Sequence, residues 1–159
     1  RPAGVRRIAA LSCRQMQRAL EKNFRWCDCL VMSAAVGDFR ARKIAPGKIK
    51  RSNKKRLKLE LVQNPDILRL FGRKKGAKIL VGFALETDNL AANARQKLRA
   101  KKLDLIVATL MKSDSYPFGR AAMDAWILEA AGRLQRLGKI NKPELARILL
   151  DRIEALVVY

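Results

Sequence analysis

Histidine is absent from this chain of 159 residues, and acids are scarce: 14 Asp and Glu stand against 35 Lys and Arg, a formal net charge of +21. Without histidine, a serine–histidine–aspartate hydrolase triad cannot be built. Only three cysteines occur, Cys13, Cys27 and Cys29, an odd, low count that fits a reducing compartment. Cys27 and Cys29 share a face where a strand begins, but a metal site would need partners that the chain lacks; buried, neutral thiols are the better reading. Aromatics are 6% of the residues, sparse for a base-stacking surface, and no zinc-finger or RNP-type motif occurs. There is no Walker A loop and no G-x-G-x-x-G. No apolar run approaches the roughly 20 residues that cross a bilayer. Arg1-Pro2 is not a translation start and no signal-peptide pattern follows it. The chain is therefore expected to be a fragment of a longer cytoplasmic protein.

What remains is ample for a core. Hydrophobic residues make up 49%, which excludes a disordered tail, and the length suits a single domain over 1–159. The charge admits two readings. One is nucleic-acid binding through phosphate neutralisation; the other is a site for a small polyanion on a protein with a charged, solvated surface.

Along the chain, helix and buried strand alternate, the pattern of a parallel α/β layer. Residues 5–11 are expected to form a short strand. Ser12 and Gln15 make a capping box before a helix over 13–24. Residues 29–36 read as a buried strand, and 57–62 as a half-exposed one by strict alternation. A short helix runs from Asn64-Pro65-Asp66 to Phe71, although Asp66 there is also an ordinary cap. Buried strands follow at 79–84, 103–109 and 124–129, with a helix capped by Asp88 over 88–102. Residues 131–139 are a turn or short strand. Asn141 caps a last helix, with Glu144 at its third position and Ala146, Leu149, Leu150 and Ile153 as its apolar face.

The segment from Leu30 to Lys50 carries the first functional signal. A buried strand ends in Ala34-Ala35-Val36-Gly37-Asp38, which puts a carboxylate at the carboxyl end of a strand, where ligands bind in open α/β sheets. The basic cluster Lys48-Ile49-Lys50 follows a Pro-Gly turn, so an anionic ligand is expected. The helix after Asp88 carries the second. At about 100° per residue from Leu90, Ala94 lies near +40° and Leu98 near +80°, forming the apolar stripe. Lys97 near −20° and Lys101 near +20° lie at the edge of that stripe, while Arg95, Arg99 and Lys102 face solvent. Two lysines one turn apart, about 6 Å, suit adjacent phosphates; otherwise their stems snorkel and release the charges to water. Phe83, near a strand end beside Gly82, is either core packing or an aromatic wall for a flat ring. Glu86 and Asp88 also follow a strand end, without the companion carboxylates of a metal cluster.

These pieces, in this order, resemble the phosphopantothenate–cysteine ligase family. The resemblance rests on Ala34-Ala35-Val36-Gly37-Asp38-Phe39-Arg40, Ala45-Pro46-Gly47-Lys48-Ile49-Lys50, Asn64-Pro65-Asp66-Ile67-Leu68, Gly82-Phe83-Ala84-Leu85-Glu86-Thr87, Ala94-Arg95-Gln96-Lys97 with Lys101, and Asp104-Leu105-Ile106-Val107-Ala108. Pro117-Phe118-Gly119 and the Lys142-Pro143-Glu144 helix start also fit. The resemblance implies a Rossmann-like, three-layer α/β domain with a mainly parallel sheet and an antiparallel dimerisation extension, the basic flap and arm spanning 40–62. It implies a two-step reaction with CTP: an acyl-cytidylate forms from phosphopantothenate, and cysteine displaces CMP. It implies magnesium alongside CTP, a homodimer, and a fused or associated decarboxylase, with no membrane partner.

By the same resemblance, Asp38, Lys48, Asn64, Pro65, Asp66, Ile67, Phe83, Lys97 and Lys101 bind the nucleotide. Lys48 is the catalytic lysine on a closing flap, and Ala34 and Ala35 contact substrate; no residue is assigned to a metal. The chain departs from the family pattern in three ways. The family's amino-terminal segment, with its asparagine and substrate-phosphate contacts, is absent, so the chain alone is expected not to complete the reaction. Thr109 stands where Asn is usual and Gly37 where Ala is usual. Finally, +21 exceeds what this fold needs, which keeps open a non-catalytic relative that binds RNA or a ribosome.

Overall fold

The computed structural model describes residues 3–50, 56–111 and 122–157; Pro117-Phe118-Gly119 lies outside them. The chain divides into two compact units, a smaller one from Arg1–Arg25 and Ala35–Asp66 and a larger one from Trp26–Ala34 and Ile67–Tyr159.

In the smaller unit, Ser12 caps the start of helix α1 (Cys13–Asn23), while the return bond of the capping box falls on Leu11 instead of Ser12. Its hydroxyl accepts from the Gln15 amide at 3.3 Å, and the Gln15 side chain accepts from the Leu11 amide at 2.7 Å. The strand expected over 5–11 is not formed: Val5, Ile8 and Leu11 stay exposed, without the buried face that would hold an edge strand in place. Strands β2 (Phe39–Ala41) and β3 (Leu61–Gln63) pair antiparallel, Phe39 opposite Gln63 and Ala41 opposite Leu61. The strand expected over 57–62 therefore shrinks to its last turnings, because β2 offers only three partners. Leu57, Leu59, Leu61 and Phe39 remain exposed.

The larger unit is built on a five-stranded sheet. Strand β1 (Cys29–Met32) pairs parallel with β4 (Ile79–Glu86), and β4 pairs parallel with β5 (Leu105–Leu110). Strands β6 (Met123–Glu129) and β7 (Leu134–Ile140) complete the order β1-β4-β5-β6-β7. Only β6 runs against the others, since it pairs antiparallel with both β5 and β7. Residues 131–139, expected as a turn or short strand, thus hold a full strand after a turn in which Gly132 takes φ 96. The strand expected over 29–36 stops at Met32, and β4 runs two residues beyond its expected end.

Helices cover both faces, as the three-layer expectation requires. Helix α4 (Lys142–Glu154) packs Leu145, Leu149 and Ile153 on Ile79, Val81, Leu105, Val107, Ala125 and Ile127. Leu145 replaces the expected Ala146 and Leu150, which are exposed, because the buried stripe is centred one position earlier. The alternate residues of β4 and β5 face the other way, toward α2 (Ile67–Gly72) and α3 (Leu90–Lys101). There Gly82 leaves room for Leu68 of α2 and for Leu103; a Cβ at Gly82 would lie 2.9 and 2.6 Å from their methyls. Asp104 locks the start of β5, its carboxylate accepting from the Leu80 amide at 2.8 Å and pairing with Lys75 at 2.5 Å. Among the described residues, no helix is long and apolar enough to cross a membrane.

At Gly72, α2 lies close against the end of α3. A Cβ at Gly72 would lie 1.9 Å from the Lys101 carbonyl oxygen, so only glycine lets α2 approach the end of α3. Gly72→Ala is expected to cost about 2 kcal/mol or more through overpacking, lowering Tm by roughly 4–8 °C in thermal unfolding followed by circular dichroism.

Cys13, Cys27 and Cys29 form no disulfide, and each is half-buried. Burial pushes the Cys29 thiol above its ordinary value, and Cys27 and Asp104 nearby add to the shift. The folded state therefore holds this proton more tightly, and its contribution to stability is present at neutral pH and lost as pH rises into the alkaline range. Iodoacetamide should modify Cys29 far more slowly in the folded protein than in urea at about pH 7.5, read by peptide mass spectrometry.

Candidate functional site

In the larger unit, the site is organised around a buried acid. β4 runs as an apolar strand until Glu86, which is only 7% exposed. Its Oε1 accepts from the Lys97 ammonium at 2.6 Å and its Oε2 from the Asn93 side-chain amide at 3.1 Å. Asn93 and Lys97 are four residues apart on α3, so they rise from successive turns on one face. Asn93 also donates to the Asp88 carbonyl at 3.1 Å, tying the helix start to the strand end. The cap itself is Asn89, in the left-handed conformation at φ 41, and not the expected Asp88. The chain must reverse sharply after β4, and asparagine tolerates that backbone better than most residues.

The helical wheel holds in three dimensions. Leu90, Ala94 and Leu98 are buried, Lys97 and Lys101 are half-buried at the edge, and Arg95, Arg99 and Lys102 are exposed. The Lys97 side chain remains 43% accessible while one of its donors rests on Glu86. An ammonium has three donors, so Lys97 can hold Glu86 and still meet an anion. Phe83 is 38% exposed on the sheet face opposite α2 and α3, with Val31 and Leu85 also exposed. The ring is therefore not core packing; it forms an open apolar wall near the carboxyl end of β4. Ala34 is exposed in the same unit, beyond β1.

In the smaller unit, Asn64 is the organiser. Its backbone amide donates to the Asp38 carbonyl at 2.7 Å and its side-chain amide to the Gly37 carbonyl at 2.8 Å. Its Oδ1 accepts from Arg40 at 3.1 Å, and Arg40 also donates to the Gln63 carbonyl at 2.7 Å. Asn64 thus shapes the Gly37-Asp38 turn and leaves the Asp38 carboxylate exposed. Ala35, Pro65 and Asp66 are exposed in the same unit, as is Lys48, which lies outside any helix or strand. Ile67, the first residue of α2, is 3% exposed and offers a ligand only its backbone.

Glu86, Asn93 and Arg40 were not singled out as functional from the sequence. A signal existed for the first two. An acid closing an apolar strand must be neutralised if it is buried, and the wheel that placed Lys97 puts Asn93 beside it. Among the described residues, no three acidic, cysteine or histidine side chains gather where they could hold a metal ion.

Residues 1–157 match the family model described as the DNA/pantothenate metabolism flavoprotein C-terminal domain. The chain is 35% identical over 149 residues to the coenzyme A biosynthesis bifunctional protein CoaBC of Bacillus subtilis, covering 94% of this chain and 36% of that protein. It is 34% identical over 151 residues to a cysteine/cysteine sulfinic acid decarboxylase from an unidentified prokaryote, covering 94% of this chain and 42% of that one. The chain thus spans about two fifths of the length of these relatives. The crystal structure of the C-terminal domain of CoaBC superposes with a TM-score of 0.79 at 27% identity, covering 98% of this chain and 67% of that one. The β4 strand end, its buried acid and the two-lysine helix are therefore features of a chain that belongs to the DNA/pantothenate metabolism flavoprotein C-terminal domain family.

Proposed function

We propose that this chain is the nucleotide-binding and dimerising part of a cytoplasmic ligase of coenzyme A biosynthesis, one that joins phosphopantothenate to cysteine at the expense of CTP. The observation that carries the reading is the pair Lys97 and Lys101, one turn apart at the edge of the buried stripe of α3, with Lys97 steadied by buried Glu86. Family membership and the bifunctional CoaBC relatives support the pathway. The strength of the RNA-binding alternative is the net charge alone.

In this reading, the carboxylate oxygen of phosphopantothenate attacks the α-phosphorus of CTP and pyrophosphate leaves. The cysteine amine then attacks the acyl carbon, and CMP departs as the amide forms. Such chemistry needs charge neutralisation and positioning more than a strong base, which agrees with a chain free of histidine. Lys97 and Lys101 hold the triphosphate, and Phe83 packs against the base or ribose. Asp38 contacts the nucleotide on a turn held by Asn64, with Pro65, Asp66 and the Ile67 backbone beside it. Lys48 closes over the reacting phosphate, and the Ala34-Ala35 backbone meets the substrate. Magnesium travels with the triphosphate as part of the substrate.

The partners follow the same reading. The bifunctional relatives favour a fused or associated decarboxylase. The exposed Leu57, Leu59, Leu61 and Phe39 favour a second copy of this chain, since an apolar row beside a two-stranded sheet is a surface that association removes from water.

CTP with magnesium should raise the Tm of the chain, and the Lys97→Ala plus Lys101→Ala variant should lose at least tenfold in CTP affinity while keeping its fold, because each charge-assisted phosphate contact contributes about 1.5–3 kcal/mol. Unchanged CTP affinity in that variant overturns the clamp, and absence of any CTP effect overturns the ligase reading. Leu59→Glu should shift the chain from dimer to monomer in light scattering, with secondary structure unchanged; a monomeric parent chain would remove the dimer.

A further inference from the structure

The smaller unit holds over half of the net charge on about a third of the residues: 17 Lys and Arg against 4 Asp and Glu, leaving the larger unit 18 against 10. Within the smaller unit lies a cleft of about 540 Å³, walled by Arg14, Gln17, Arg18 and Glu21 of α1 and by Arg40, Gln63, Asn64 and Pro65 of β2, β3 and the residues after them. We propose that this cleft is a binding site for a compact anion carrying two or more phosphate groups, whose arginines hold it independently of the α3 lysines.

Three features support a built site over a merely basic surface. Arg40 is anchored in advance, with one guanidinium nitrogen on the Gln63 carbonyl and on Asn64 Oδ1, so its remaining donors are aimed without further ordering. Arg14 and Arg18 lie one turn apart on α1, an i,i+4 like-charge pair that destabilises a helix unless an anion sits between the two. Glu21, the single acid lining the cleft, has its Oε1 taken by the Gln17 amide at 2.9 Å. The result is an excess of cation facing one hollow.

The residue types select the ligand. All three cations are arginines, whose planar forks match phosphate oxygens in pairs. The lining contains no aromatic side chain, so the cleft offers no platform for a nucleobase and disfavours single-stranded RNA, which is bound by stacking. Its one apolar wall is Pro65. A ligand rich in charge and poor in apolar surface fits this lining. Because Asn64 and Pro65 border the cleft and are also assigned to the nucleotide, the test must separate the two.

The probe is pyrophosphate, titrated at constant ionic strength of about 0.15 M while the arginine Nε–Hε resonances of the whole chain are followed by NMR. Saturable shifts of Arg14, Arg18 and Arg40 are expected. Arg14→Gln plus Arg18→Gln should weaken pyrophosphate at least tenfold and leave CTP affinity within twofold; neither side chain packs into a core, so the fold should persist. Arg6→Gln plus Arg7→Gln, also exposed in this unit, should change nothing. Absence of saturation, an equal effect of the Arg6 and Arg7 variant, or preferential displacement by polyuridine overturns the proposal. A parallel loss of CTP affinity in the Arg14 and Arg18 variant overturns their independence of the α3 lysines. Failure of the ligase reading would appear as no CTP binding with pyrophosphate shifts intact.

Discussion

A carboxylate is costly to bury unless donors meet its oxygens. Glu86 meets that condition through Lys97 and Asn93, and the condition fixes how α3 lies along β4. One register of the helix brings successive turns to the acid. A helix turned by a residue would leave a buried charge unpaired, a loss of several kcal/mol. The same register puts Leu90, Ala94 and Leu98 on the sheet and Lys97 at the border of water. Packing and function thus draw on a single alignment.

That alignment depends on glycine at two places. Gly72 lets the end of α3 lie against α2 at backbone contact, and Gly82 lets Leu68 and Leu103 settle on β4. Both act through the side chain they lack. Asp104 serves the neighbouring strand in a similar way, holding the Leu80 amide and Lys75 so that β4 and β5 begin in step. The strand ends, and with them Glu86 and Phe83, are positioned from the opposite end of the sheet.

The two units carry their charge differently. In the larger unit, several acids each meet a defined partner: Glu86 with Lys97, Asp104 with Lys75, Glu129 with Arg152. The smaller unit has few acids and leaves its arginines facing a hollow. A site for anions costs stability when empty, because like charges repel at close range. The unit that bears this cost has little buried core, and α1 has no fully buried residue.

The sequence alone determined the alternation of helices and strands, the caps at Ser12 and Asn141, and the placement of Lys97 and Lys101 at a stripe's edge. Those are local matters, set by spacing and by the backbone's need for partners within a few residues. It also carried enough ordered motifs to identify the family. Only the tertiary structure decided which strand ran against the rest, that residues 5–11 stay outside any sheet, and that Asn89 starts α3 in place of Asp88. Only it revealed that Glu86 stands beneath Lys97, that Asn64 is engaged in shaping the turn at Asp38, and that Arg40 faces Arg14 and Arg18. Each of these depends on residues distant in sequence meeting in space, where a partner's presence decides whether a polar group is buried, tethered or open to a ligand.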